Sequence, residues 1–158
     1  MLSVIIPTLN AEDELPRAMF PLVGAVVRGR VKEVVVSDGG STDGSLDPDF
    51  TAPVGVRAVL TKTGPGKLSA QLRMGYAWCL RQGYAGIVTI DGNGKDGVEA
   101  VADMAAKLEE GFDYVQGSRY LPGGVAENTP LERTIANRCI HAPVLSLAGR
   151  RWFTDTTN

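Results

Sequence analysis

The sequence has one histidine and two cysteines in 158 residues. A single histidine, His141, excludes a histidine-based zinc centre and a Ser-His-Asp triad. Cys79 and Cys139 lie far apart and in no metal-ligand spacing, so they are expected as core thiols in a reducing compartment. There is no basic excess: the net charge is -2, which gives no reason to expect a nucleic-acid partner. No apolar run approaches the length of a transmembrane helix, and the opening MLSVIIP lacks the basic segment of a signal peptide. Repeats and low-complexity tracts are missing too. These features favour the cytoplasm. What remains is ordinary for a globular protein, with 44% apolar and 22% charged residues and length enough for one domain with a real core.

The periodicity predicts alternating strands and helices. Leu2 to Ile6 is a short β-branched run closed by Pro7. Asn10 can cap a helix carrying Glu12 and Glu14, bent or delayed by Pro16 and Pro21. Val31 to Ser37 forms a second strand that runs into the turn DGGSTDGS, and Val56 to Leu60 forms a third. Lys67 to Arg81 is a helix with Leu68, Leu72, Tyr76 and Cys79 on one face. Gly86 to Ile90 is the fourth strand. Asp96 and Glu99 open a helix with Val98, Val101, Ala102, Ala105 and Leu108 on one face, ended by Gly111. Tyr114 to Gln116 is a fifth short strand. Thr129, Pro130 and Glu132 start a last helix that must break near Pro143.

This order predicts an α/β fold, a mostly parallel sheet with helices on both faces. Ligands of such sheets bind at the carboxyl ends of the strands. The unusual polar residues follow those ends: Pro7 to Asn10, Asp38, Asp91 and Ser118-Arg119. Two common nucleotide motifs are excluded. The turn after the first strand is PTLN rather than G-x-G-x-x-G, and Gly64-Pro65-Gly66-Lys67-Leu68 lacks the spacing and the hydroxyl of a P-loop.

The stretches SVIIPTLNAEDELP, VVVSDGGSTDGS, GPGKLSAQLRMGYAWCLRQGY, VTIDGNGKDG, YVQGSRYLPGG and FTDTTN follow one another over nearly the whole chain. Together they resemble the family 2 glycosyltransferases of the GT-A fold, in particular the dolichol-phosphate-mannose-synthase-like branch. The resemblance implies a Rossmann-like nucleotide-sugar-binding domain over residues 1–158. It implies an inverting transferase that moves a sugar from a nucleotide-diphosphate donor to a polyprenyl phosphate or a surface polysaccharide of the cell envelope. Such an enzyme works in the cytoplasm, at the inner face of the membrane when the acceptor is a lipid. Carried over, Pro7, Thr8 and Asn10 line the base pocket, Asp38 reads the nucleoside, and Lys67 sits near the nucleotide. Asp91, Gly92 and Asn93 hold the donor, and Asp91 and Asn93 hold Mg²⁺ or Mn²⁺. Arg119 faces the phosphates or the acceptor.

The chain departs from that pattern in two places. The family's second aspartate is Asn93, whose amide oxygen ligates without charge, and Lys95 stands two residues further on. An ammonium cannot ligate a cation. Lys95 is therefore expected to take over part of the metal's role by neutralising the diphosphate, weakening metal dependence; the plain alternative is a solvent-facing lysine. The chain also stops at Asn158, where the family continues with an acceptor-side segment, so a truncated acceptor side is expected.

Plainer roles are expected elsewhere. Asp43 is a local turn hydrogen-bonder, Glu12 supports its helix, His141 packs or faces solvent, and Trp78 and Trp152 pack rather than stack on a base or sugar. Asp155 lies in the DTTN motif, which the family places near the active site. Leu131 to Leu147 is apolar along one side, and burial against the sheet is expected over an interfacial membrane helix. Two other functions stay open: a degenerate, non-catalytic nucleotide-sugar-binding domain, and a sugar nucleotidyltransferase. The latter ranks last because its Gly-rich arginine loop after the first strand is missing.

Overall fold

The computed structural model describes residues 2–10, 33–52, 55–92, 97, 100–124 and 130–155. The chain divides into two compact units, Met1–Asp113 and Tyr114–Asn158.

The first unit is built on four strands, β1 (Leu2–Thr8), β2 (Glu33–Asp38), β3 (Val56–Thr61) and β4 (Gly86–Thr89), in the order β3-β2-β1-β4. Every neighbouring pair is parallel. β1 and β2 are continuous apolar runs because both faces of a parallel sheet are covered. Val4, Ile6, Val34, Val36, Val88 and Ile90 pack on one face around Val101. That valine opens α3 (Val101–Glu109), which also buries Ala105. Ile5, Val35 and Cys79 pack on the other face, with Tyr76, Trp78 and Tyr84 against them. Full burial of each such aliphatic side chain contributes about 2 kcal/mol.

The helix on this second face is α2 (Leu68–Arg81), and it differs from the expected one in which face it buries. Gln71, Gly75 and Cys79 point inward, while Leu68 is exposed and Leu72 half-buried. The cause is close packing. A Cβ on Gly75 would stand 3.1 Å from Ile5 Cδ1, so the helix lies against β1 along its smallest residue. A short α1 (Pro48–Thr51) between β2 and β3 was not expected. Val31, Asp96, Val98 and Glu99 lie outside the described residues, as do Glu12, Glu14, Pro16 and Pro21 of the helix expected after Asn10. Asn10 itself does not have the extended backbone of an N-cap: its φ is +49°, and its side-chain oxygen accepts from the Thr42 N–H at 2.9 Å.

The second unit contains α4 (Leu131–Ala136), five π-helical residues (Asn137–His141) and α5 (Ala142–Gly149). Several expectations fail in it. Tyr114 to Gln116 is not a strand. The helix does not break at Pro143. Proline has no N–H for the Cys139 carbonyl and crowds it, and the helix widens by one residue instead, with Ala142 N–H donating to Asn137 O. The apolar side is not buried: Leu131, Ile135, Ile140, Val144 and Leu147 are all exposed, and Asn137 and Ala142 are the buried residues of this stretch. Cys139 is likewise exposed rather than a core thiol, unlike Cys79. Trp152 is exposed as well, because Phe153 is the residue that turns back onto Gly149 and Ser146. Trp78 packs as expected, stacked on Tyr84 with ring centroids 6.3 Å apart. No helix among the described residues is long and apolar enough to cross a membrane.

Candidate functional site

The register of the sheet puts polar residues at its carboxyl edge. Thr8 pairs with Asp38 across β1 and β2, and Asp38 pairs with Thr61 across β2 and β3. β4 ends at Thr89, but its hydrogen bonding to β1 continues as far as Gly92. Ile90 N–H donates to Ile5 O and Gly92 N–H to Pro7 O. Asp91, half-buried, is thereby held beside the end of β1. Gly92 is buried there, and a Cβ on it would stand 2.7 Å from the Pro7 carbonyl oxygen, so no larger residue fits without moving the backbone. Pro7, Thr8, Asp38, Asp91 and Gly92 thus share one edge. Asn93 and Lys95 lie outside the described residues.

Asp38 is 2% exposed. Its Oδ1 accepts from the backbone N–H of Ser41 at 2.9 Å and from the Ser41 hydroxyl at 2.7 Å. The Ser41 hydroxyl in turn accepts from the Asn10 N–H at 3.0 Å. With the bond from Thr42 N–H to Asn10 Oδ1, the loops after β1 and β2 are stitched together. A buried carboxylate needs such donors to offset its desolvation. Asp43 behaves as expected, bonded to Ser45 within its own turn.

Thr8 is also buried, and its hydroxyl has no hydrogen-bond partner among the described residues. An unsatisfied buried hydroxyl at the end of a central strand is a polar contact available to a ligand. Lys67 caps α2 and is exposed. Gln71, one turn into that helix, reaches the same edge, and the sequence reading passed over it. Its Nε2 donates to Thr8 O at 2.7 Å and to Ser37 O at 3.2 Å. The available signal was a lone amide on the face that also carries Gly75 and Cys79.

In the second unit, Arg119 follows no strand, yet it is fixed. Its Nε donates to Asp155 Oδ2 at 3.0 Å, and its backbone N–H donates to the same oxygen at 3.3 Å. Asp155 Oδ1 accepts from Asn137 Nδ2 at 3.0 Å. Asn137 projects from the π-helical turn, and its Oδ1 has no partner among the described residues. Ser118 and Thr154 share a hydrogen bond of 2.8 Å beside this cluster. An arginine held through Nε keeps its terminal nitrogens for a phosphate or carboxylate.

Among the described residues no group of three or more His, Cys, Asp or Glu side chains could hold a metal ion. The donor set in the sequence is Asp91 with Asn93, one carboxylate and one amide oxygen. Both are hard oxygen donors of the kind Mg²⁺ and Mn²⁺ take.

The model of glycosyl transferase family 2 matches residues 3–153. The polyprenol monophosphomannose synthase of Mycolicibacterium smegmatis is 32% identical over 145 residues, covering 85% of this chain and 51% of that protein. The undecaprenyl-phosphate mannosyltransferase of Micrococcus luteus is 32% identical over 131 residues, 82% of this chain and 52% of that one. The dolichol-phosphate mannosyltransferase of Pyrococcus furiosus is 27% identical over 138 residues, 86% of this chain and 38% of that one. The chain therefore spans about half the length, or less, of the curated relatives it matches. A crystal structure of glucosyl-3-phosphoglycerate synthase from Mycobacterium tuberculosis, with Mn²⁺, UDP and glucosyl-3-phosphoglycerate bound, shares the fold. Its TM-score is 0.55 at 20% identity, over 95% of this chain and 50% of that one. With its parallel sheet, its polar strand ends and a family match over nearly its whole length, the chain belongs to the family 2 glycosyltransferases, in the branch related to the polyprenyl-phosphate mannosyltransferases.

Proposed function

We propose that the chain is the donor-binding domain of an inverting glycosyltransferase. It moves a hexosyl group, mannosyl by analogy with the relatives' names, from a nucleotide-diphosphate donor to a polyprenyl phosphate. The observation that carries this reading is the edge on which Thr8, Asp38 and Asp91 stand at the ends of three adjacent parallel strands.

Asp38 is held by Ser41 through Oδ1, and it offers Oδ2 to a donor group of the nucleoside. The Thr8 hydroxyl supplies a second contact. Asp91 and Asn93 are the residues that would hold a divalent cation, which when bound offsets the charge developing on the leaving diphosphate. Lys95 contributes a fixed positive charge to the same diphosphate, so the dependence on metal is weaker than two carboxylates would impose. Arg119, oriented by Asp155, keeps its terminal nitrogens for a phosphate group. The acceptor phosphate oxygen is already anionic, so it attacks the anomeric carbon from the side opposite the departing diphosphate without a general base.

The exposed Leu131, Ile135, Ile140, Val144 and Leu147 support a lipid acceptor over a soluble glycan, since exposed apolar side chains on helices suit a membrane interface. On this reading the chain works in the cytoplasm at the inner membrane face. Incubation with each labelled nucleotide-mannose and a short polyprenyl phosphate should move label into the organic phase. Donor binding without transfer would favour the second reading, a non-catalytic nucleotide-sugar-binding domain, for which Asn93 and Lys95 speak.

A further inference from the structure

The Gln71 side chain joins three segments. Its Nε2 gives one hydrogen to the last carbonyl of β1, Thr8 O, and one to Ser37 O of β2. Its own backbone carbonyl accepts from the Ser37 hydroxyl at 2.7 Å. Gln71 is 5% exposed, and Ser37 is fully buried. Desolvating an amide and a hydroxyl costs free energy unless each is hydrogen-bonded, and here both are. Gly39 fits against the amide from above: a Cβ there would stand 2.8 Å from Gln71 Nε2. The Gly39 N–H donates to Thr8 O at 2.9 Å, so that carbonyl takes a backbone bond and the Gln71 bond together.

The two carbonyls that Gln71 grips belong to, or directly precede, Thr8 and Asp38, the paired residues of the candidate donor edge. We propose that Gln71 is a positioning residue for nucleotide binding, setting the spacing between Thr8 and Asp38 by clasping the ends of β1 and β2 from the first turn of α2. This inference rests on the donor-site reading above. It goes beyond that reading by assigning the geometry of the pocket to a helix side chain that touches no nucleotide. Without the amide hydrogens, two buried carbonyls each lose a partner, and the spacing of the two strand ends rests on their backbone pairing alone. The loss then appears in nucleotide affinity as well as in stability.

Two variants of the full chain test this. Gln71→Met keeps the length and volume of the side chain and removes the amide. Gln71→Glu turns a carboxylate toward two carbonyl oxygens at neutral pH, and becomes a donor to Thr8 O only when protonated. Burial and the facing oxygens disfavour its charged form, so it protonates above the ordinary glutamate range. Nucleoside-diphosphate affinity is measured by calorimetry well below the unfolding midpoint of each protein, where a loss of stability alone leaves the folded fraction complete. Gln71→Met is expected to bind about tenfold more weakly than the native chain. Gln71→Glu is expected to bind weakly at pH 8 and to recover, relative to the native chain at the same pH, as the pH falls toward about 5. If Gln71→Met does not fold, the recovery of Gln71→Glu decides. Native affinity in the folded variants, with no pH-dependent difference, overturns this inference alone. No nucleotide binding by the native chain overturns the donor-site reading, and this inference with it.

Discussion

Asp155 Oδ2 accepts two hydrogen bonds from Arg119, one from Nε at 3.0 Å and one from the backbone N–H at 3.3 Å. The carboxylate is 6% exposed, and its other oxygen takes Asn137 Nδ2. One acid therefore fixes an arginine and an asparagine that lie 18 residues apart. Asp155→Ala leaves both donors without it, at a cost of about 2 kcal/mol, discounted because the Arg119 side chain keeps some access to water. A lowered midpoint in thermal unfolding checks the cost. Arg119→Lys keeps the charge but loses the fixed fork, and should weaken binding of a phosphate-bearing ligand about tenfold.

The close approach of Gly92 to Pro7 makes a second prediction. Gly92→Ala places a methyl group 2.7 Å from a backbone oxygen that can move only with β1. The substitution should destabilise the chain by about 1–3 kcal/mol, as overpacking does. It should also move Asp91 away from the end of β1. Urea unfolding gives the first effect and nucleotide affinity the second. An unchanged midpoint would mean that the strand ends are looser than described.

Tyr84 gives a pH prediction at the opposite edge of the sheet. Its hydroxyl donates to Glu33, which also lies 3.7 Å from Arg57 Nε. Burial first, and then the Glu33 carboxylate, push the Tyr84 pKa from 10.0 to about 12. A raised pKa means that the folded chain holds the proton more tightly than the unfolded chain. The stabilisation is therefore complete below about pH 10 and is lost as the pH rises through about 12. Tyr84→Phe should flatten that alkaline decline and leave nucleotide affinity unchanged, since Glu33 opens β2 and Asp38 closes it.

Lys95→Gln tests the charge in the glycine-rich loop. If Lys95 neutralises the diphosphate, its loss should lower metal-free turnover about tenfold, the equivalent of one charged contact of about 1.4 kcal/mol. Saturating Mn²⁺ should restore most of it. Unchanged metal-free turnover would return Lys95 to the solvent-facing role of most lysines.

The alternation of β-branched runs with 3.6-residue periods was enough to read four of the five expected strands from the sequence, because a parallel strand buried on both faces has few other appearances. Thr8, Asp38 and Asp91 were legible for the same reason: each polar residue stands where an apolar run stops. Gln71 was not, because helix periodicity marks apolar residues, and here the inward face carries an amide and a glycine. The π-helical turn at Asn137–His141 was hidden behind Pro143, which reads as a break although a helix can absorb it by widening. The exposure of Leu131, Ile135 and Leu147 was unreadable too, since periodicity shows that a face is apolar but not whether anything covers it. Arg119 was read from its motif and from a place after a fifth strand, and that strand does not form.

On the proposed function, the edge carrying Thr8, Asp38 and Asp91 binds a nucleoside diphosphate. The most direct test is the thermal midpoint of the native chain and of Asp38→Asn with UDP, GDP, CDP and dTDP, each in EDTA and in Mn²⁺ or Mg²⁺. A ligand that binds the folded state raises the midpoint by mass action. A rise with one nucleotide, partly retained in EDTA and lost in Asp38→Asn, is expected. No rise with any nucleotide, or a rise that Asp38→Asn keeps in full, would contradict that reading.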